Sequence, residues 1–324
     1  MSSRAFCDSA AMPDHHPAPL DLRHPFTNAM WRASGRSDAA LEKAAVRRLV
    51  RGVYCATAIP VSPTVWARAT LLAAPMASFV THHTAAELLG VPVPRSPTLH
   101  AGTIKGHDCK LPGIRVHRYA APPATVDRHG VSCTDAVQTY LDLAAVLDLV
   151  DLVVLGDGIV HRGLATLDEL REGAAARRGR GARAAREAAR LVRAAVESAM
   201  ETRVRLLLIW AGLPEPTINL TVETRRSQAR YRLDLAWQDL LVAVEYDGRH
   251  HIEREPQWQA DLRRREELEA EGWRFVVLTS PDVFHTPGET VQRVVGALVA
   301  AGLPRPQLRD NWQRHFPGRS TSAA

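Results

Sequence analysis

At 324 residues, with 46% apolar and 23% charged residues, the chain has the composition of a globular protein of two or three domains, taking about 100–200 residues per domain. No apolar run reaches the roughly 18 residues of a membrane-spanning helix, and the N-terminal MSSRAFCDSAAMPDHHPAPL has acids and histidines where a secretory signal has its apolar core, so a cytoplasmic protein with no membrane partner is expected. The net charge of +6 favours an anionic partner, and the four cysteines include no C-x-x-C pair, which argues against a zinc site or a disulfide framework.

Residues 1–24 read as a disordered tail. Over 25–60, a short helical stretch from Thr27 to Ala33 ends near Gly35. Ser37 then caps an expected helix DAALEKAAVRRLV, with Leu41, Ala44, Ala45 and Leu49 on one face. Gly52-Val-Tyr-Cys follows as a strand. Helix, turn, helix and strand make the skeleton of a winged helix-turn-helix, whose basic residues Arg47, Arg48 and Arg51 are candidate DNA contacts. The run LEKAAVRRLVRGVY resembles the N-terminal domain of AbiEi-type antitoxins. Over 61–180, Thr81 caps the helix HHTAAELLG, which Gly90 closes ahead of Pro92. Strands LHAGT and GIRVHRY follow, then a helix capped by Thr134 in GVSCTDAVQTYLDLAAVL. These pieces resemble the domain that follows the winged helix in AbiEi-like proteins. His82 and His83 read as polar residues of a helix start, because no Cys or Asp stands at ligand spacing.

Arg171 to Arg193 holds eight arginines against two glutamates. Arg183, Arg186, Arg190 and Arg193 follow helical spacing, either as a solvated face or as one that contacts phosphates. A single long helix is expected from about Ala182 to Ala211, ended by Gly212 and Pro214, with the stripe at one end and Glu201 facing a metal at the other. The most informative stretch is Tyr231 to His251, YRLDLAWQDLLVAVEYDGRHH. Leu233, Leu235 and Trp237 alternate as in a half-buried strand, LLVAV is apolar throughout as in a central strand, and Gln238-Asp239 is a hairpin turn. That hairpin sets Asp234 and Glu245 at the same end of the sheet. Carboxylates at the ends of apolar strands need a compensating cation, and such oxygens suit Mg²⁺.

In order, Ser198-Ala-Met-Glu201 with Arg205, Gly212-Leu-Pro, Asp234, the E-Y-D-G turn from Glu245, His251, Asp261 with Arg264, Gly272-Trp273 and the strand RFVVL resemble the Vsr-like branch of the PD-(D/E)XK nucleases. The resemblance covers Glu197 to about Gly302. It implies an α/β fold: a restriction-endonuclease-like core over 181–302, a mixed central sheet flanked by helices, preceded by the winged helix-turn-helix and a small α+β middle domain. A C-terminal tail covers 303–324. The closing helix is ETVQRVVGALVAAG, with Val291, Val294, Val295 and Leu298 as its apolar stripe. The implied activity is Mg²⁺- or Mn²⁺-dependent hydrolysis of DNA. Asp234, Glu245, the carbonyl of Tyr246 and Glu201 are the metal ligands, Asp247 and His251 handle water or the leaving oxygen, and Arg264 contacts DNA. One departure stands out: the chain has only three lysines, none after Lys110, so Asp247 occupies the E-x-K lysine position.

Plainer readings stay open. Glu201 can pair with Arg205 at i, i+4, Asp247-Gly248 can be an ordinary turn, and Asp261 and Arg264 can belong to a solvated helix. Asp239 reads as a turn residue, Trp273 as a core anchor, and Trp258 in EREPQWQ as a loop residue able to stack on a base. The alternative function is a DNA-binding regulator, antitoxin-like, with a catalytically silent nuclease fold. A homodimer is left open.

Overall fold

The protein is described by a computed structural model over residues 20–105, 109–225, 227–248 and 255–318. The chain forms two units. One holds the chain through Val80 with Pro97–Pro122 and Asp127–Cys133; the other holds Thr81–Ser96, Pro123–Val126 and everything from Thr134.

In the first unit, β1 (Phe26–Thr27) leads into α1 (Asn28–Ala33), whose first turn is closed by the Thr27 hydroxyl accepting from Met30 N at 3.1 Å. Ser37 caps α2 (Asp38–Lys43) in the same way, through Ala40 N at 3.2 Å. The expected helix does not continue to Val50. Val46–Val50 is instead β2, folded back on β3 (Val53–Ala56) with Val50 opposite Val53. The valines of this stretch favour a pleated strand, and Arg51-Gly52 makes a two-residue hairpin turn in which Gly52 takes a φ of +76°. The small sheet runs β1-β3-β2 over Phe26, Trp31 and Leu41, with the Phe26 and Trp31 rings stacked at 5.5 Å. After α3 (Pro63–Ala73) comes a six-stranded sheet of β4 (Phe79–Val80), β5 (Leu99–Thr103), β6 (Cys109–Leu111), β7 (Ile114–Arg118), β8 (Thr125–Arg128) and β9 (Val131–Thr134), in the order β6-β7-β5-β4-β9-β8. β5 and β7 are the two strands expected from the sequence.

The second unit opens with α4 (His82–Leu89), closed by left-handed Gly90 as predicted. α5 (Ala136–Leu143) is capped by Asp135, which accepts from Gln138 N at 2.7 Å, rather than by Thr134, whose hydroxyl meets that of Thr139 at 2.8 Å. Helices α6 (Leu149–His161), α7 (Leu167–Ala176), α8 (Ala182–Leu191) and α9 (Ala199–Trp210) follow. The single helix expected over 182–211 is thus two, broken at 192–198. The cause is Asp157 on α6, whose buried carboxylate needs donors. It draws Arg193 N to 2.7 Å, the Thr202 hydroxyl to 2.8 Å and the Arg205 guanidinium to 3.1 Å. Ser198 restarts the helix by accepting from Glu201 N at 3.1 Å.

The rest is an antiparallel meander, β10 (Thr217–Glu223), β11 (Arg230–Trp237) and β12 (Val242–Tyr246), then α10 (Glu255–Ala270) and β13 (Arg274–Leu278) laid parallel to β12. Sheet order β10-β11-β12-β13 makes β12 interior, which fits the buried Val242, Ala243 and Val244. α11 (Ser280–Phe284) and α12 (Pro287–Ala300) complete the domain, and the predicted stripe of Val291, Val294, Val295 and Leu298 is buried. Trp273 joins the core, as expected. From Glu255 onward the EREPQWQ segment is helix rather than loop. Beyond Gly302 the chain returns to α9, where Arg309 N donates to Ala211 O and His315 lies on the Trp210 ring at 4.4 Å.

Candidate active site

The β11–β12 hairpin sets the site. Its turn is the short helical segment Gln238–Leu240, closed by Leu241 in a left-handed conformation, so Asp239 is a turn residue as read. The ladder pairs Leu235 with Val244 and Trp237 with Val242. One more step along this register sets Asp234 opposite Glu245, and side chains opposite one another on an antiparallel pair share a face. Tyr246 N donates to Asp234 Oδ2 at 3.1 Å, tying the two strands together through the carboxylate. On the other side, Asp247 N donates to Leu278 O at 2.7 Å, extending the β12–β13 ladder past the site.

α10 supplies a cation. Arg264 pairs with Glu245 Oε1, reaches Oε2 at 3.3 Å, and donates to Arg232 O at 2.7 Å. Side-chain exposures of 16% for Glu245 and 23% for Arg264 leave this pair half-buried. Burial pushes the Asp234 carboxyl above the usual carboxylate range and the charge of Glu197 adds to it, against the pull of Tyr246 N, Arg264 and Arg232. These groups line a cleft of 530 Å³ together with Asp247, Asp261 and Arg265.

The structure therefore gathers Asp234, Glu245, Tyr246, Asp247 and Arg264 in one cleft. Glu201 does not line it. Its carboxylate is buried and accepts from Glu197 N at 3.1 Å and Asn219 Nδ2 at 2.9 Å. Nor does Glu201 pair with Arg205, which is fully buried against Asp157. Glu197, just ahead of the N-cap Ser198, does not line the cleft either, but accepts a 2.6 Å bond from Arg232, which does. Glu201, at the third helical position, is thus engaged near its own helix start rather than in the cleft. His251 lies outside the described residues, as does His250.

Of the predicted DNA contacts, Arg183, Arg186 and Arg190 lie on α8 as a stripe. Arg193 falls past the helix end and bonds Glu215 at 2.9 and 3.1 Å. In the first unit, Arg48 and Arg51 are exposed, while Arg47 is tied to the carbonyls of Thr57 and Ile59. The side chain of Trp258 lies outside the described residues.

With the cleft defined, its sequence can be placed among known proteins. The family model REase_MTES_1575 matches residues 216–298, the span that carries every lining residue. This end of the chain is restriction-endonuclease-like. Two curated proteins of Mycobacterium tuberculosis, "Uncharacterized protein MT2308" of strain CDC 1551 and "Uncharacterized protein Rv2248" of strain H37Rv, are each 32% identical over 154 residues. The matched segment is 44% of this chain and 56% of each relative, so the chain spans about half the length of the relatives it matches. The restriction-endonuclease-like domain is a nuclease-type fold, and among the described residues no helix is long and apolar enough to cross a membrane.

Proposed function

We propose that the protein is a metal-dependent DNA endonuclease of the Vsr-like type, with Asp234 and Glu245 as the core of its metal site. The observation that carries this reading is the juxtaposition of these two carboxylates on neighbouring strands inside the family match. The donor set suits a divalent cation: two carboxylates and a strand-end carbonyl offer only hard oxygen ligands. The cleft also demands positive charge, since Glu245 already binds a guanidinium. Asp234, Glu245 and the carbonyl of Tyr246 would hold Mg²⁺ or Mn²⁺, which when bound supplies a more acidic water and neutralises charge on phosphate oxygens. Asp247, beside them in the cleft, orients the attacking water. Cβ atoms added at Gly248 would stand 3.0 Å from the Tyr246 ring, so glycine keeps the chain close to that ring where it leaves β12.

DNA affinity comes from two basic elements in this reading: the α8 stripe of Arg183, Arg186 and Arg190, and the first unit, where two short helices precede the β2–β3 hairpin that carries Arg48 and Arg51 and would serve as a wing. The test is cleavage of plasmid and mismatched duplexes with Mg²⁺ or Mn²⁺, beside Asp234→Asn. Wild type should nick or cut and the variant should not. A thermal-shift series adds a second readout. A cation at 100 times its dissociation constant should stabilise wild type by about 2.7 kcal/mol. The gain should shrink in Asp234→Asn; an equal gain in both proteins would remove these residues from the metal site.

A second reading, a DNA-binding regulator with a silent nuclease fold, is favoured by one observation: Glu245 is engaged by Arg264 while the E-x-K lysine is missing. DNA that is bound but left intact in every metal would decide for it.

A further inference from the structure

Among the described residues three arginines line the cleft, and two are engaged with other partners. Arg232 bonds Glu197 at 2.6 Å, and the Arg265 guanidinium lies over the Phe275 ring, 5.3 Å from its centroid. Arg264 alone among the three directs its fork at a strand-end carboxylate. Its placement is built in: Leu268, one helical turn further along α10, is fully buried with Leu233, Ala236, Ala243 and Trp273. Side chains four residues apart share a helix face, so the core anchor at Leu268 fixes Arg264 over the ends of β11 and β12. The guanidinium touches both Glu245 oxygens and the Arg232 carbonyl.

We propose that Arg264 is a displaceable counter-cation. It holds Glu245 while no metal is bound, and once a divalent cation takes Glu245 the freed guanidinium binds the phosphate under attack. The proposal rests on the nuclease reading and deepens it. Carboxylate and phosphate present similarly spaced oxygens, and the planar fork of arginine suits both, so the exchange needs no new geometry from the protein. It also answers the missing lysine, because the positive charge comes from α10 rather than from β12. Metal and guanidinium then compete for Glu245, and loss of Arg264 should strengthen metal binding while weakening cleavage, a combination that a purely structural ion pair would not give.

The test is calorimetric titration of the full chain with Mn²⁺ alone, joined to plasmid cleavage at saturating Mn²⁺, for wild type, Arg264→Gln and Arg264→Lys. Removing a charge-assisted partner of Glu245 should tighten Mn²⁺ binding by about tenfold in Arg264→Gln. Cleavage should fall at least about 100-fold in the same variant, as when one preorganised donor to a reacting group is lost. Arg264→Lys keeps the charge without the fork, so it should bind Mn²⁺ much as wild type does and cut at an intermediate rate; it guards against a folding defect in the glutamine variant. Unchanged or weaker Mn²⁺ binding in Arg264→Gln, or full cleavage by it, overturns the proposal while the nuclease reading stands. A wild type that neither binds Mn²⁺ nor cuts removes the nuclease reading, and the proposal with it.

Discussion

The pair between Arg205 and Asp157 lies in the interior, and breaking it should have a large effect. Both side chains are sealed from solvent, at 0% and 2% exposure. Burial pushes Asp157 up and Arg205 down, each toward its neutral form, while their mutual attraction opposes this. A guanidinium stays protonated even so, and Arg205 holds its charge 3.1 Å from the Asp157 carboxyl. In Arg205→Met, Asp157 keeps the Arg193 N–H and the Thr202 hydroxyl but loses the one opposite charge at hydrogen-bond distance among the described residues. An uncompensated buried charge of this kind costs about 3–5 kcal/mol. For a domain of this size, about 2–4 °C per kcal/mol converts that to a fall in melting temperature of roughly 6–20 °C. The exposed pair Arg230–Glu223, at 75% and 44%, is the contrast, and Arg230→Met should cost about 0–1 kcal/mol. Calorimetry of both variants and of the Arg205→Met/Asp157→Leu double variant tests the reasoning. The double variant should recover only part of the loss, since it removes the uncompensated charge but leaves Arg193 N and the Thr202 hydroxyl without their acceptor. If Arg205→Met costs no more than Arg230→Met, the buried charge is compensated by something else and the account of the α8–α9 break fails with it.

Tyr140 donates to Ala185 O at 2.9 Å from a fully buried ring, so Tyr140→Phe should cost about 1 kcal/mol in chemical denaturation, the net worth of one buried hydrogen bond to a carbonyl that keeps its helical donor. Gly102→Ala would bring a methyl to 2.1 Å from the Phe79 ring, and the overpacked β4–β5 pair should lose about 1–3 kcal/mol, measured by thermal melting of the full chain. Burial holds His83 below its usual range, so the unfolded chain takes up its proton first. The contribution is therefore complete above the unfolded value of about 6.5 and is lost as pH falls through the folded one; stability should decline on acidification below neutrality, less so in His83→Gln. Asp282 is raised by burial but pulled lower overall by Thr279 and Arg293, so its contribution holds above about pH 4 and fades as pH falls further; Asp282→Asn should flatten that acid limb.

Much of the site was legible because it depends on local pattern. Alternation through Leu233, Leu235 and Trp237, an unbroken LLVAV and a polar turn specify a hairpin, and a hairpin of that length brings Asp234 and Glu245 to one end. The closing helix was readable for the same reason, since its valines repeat at helical spacing. What escaped depends on partners far apart in sequence. Arg193 and Arg205 lie 36 and 48 residues from Asp157, and nothing in the Ala- and Arg-rich run 182–211 signals that a distant carboxylate will break the helix. Arg264 is 19 residues from Glu245, and a string of arginines and glutamates on a helix gives no hint which one turns inward. The β2–β3 hairpin was misread for a different reason. VRRLVRGVY fits a helical face and a strand pair equally by hydrophobic spacing, and the Arg51-Gly52 turn decides between them.

The cleft also shows why carboxylates at strand ends constrain a protein even without bound metal. Asp234 and Glu245 face the same way from adjacent strands, and Asp234 is already biased toward its neutral form by burial. Without a cation the pair would repel and open the end of the sheet where function needs it closed. A lysine on β12 would solve this only by standing permanently among the ligands. An arginine on α10 solves it from outside the strand, anchored by Leu268 to the core yet joined to Glu245 only through its flexible end. In the proposed reading, the fold is complete before metal arrives, and Glu245 can still be surrendered when it does. A domain whose nuclease chemistry had become irrelevant would be served better by an apolar pair at 234 and 245, since buried ion pairs seldom stabilise more than the packing that could replace them. The costlier arrangement found here is the one expected where charge at that position has work to do.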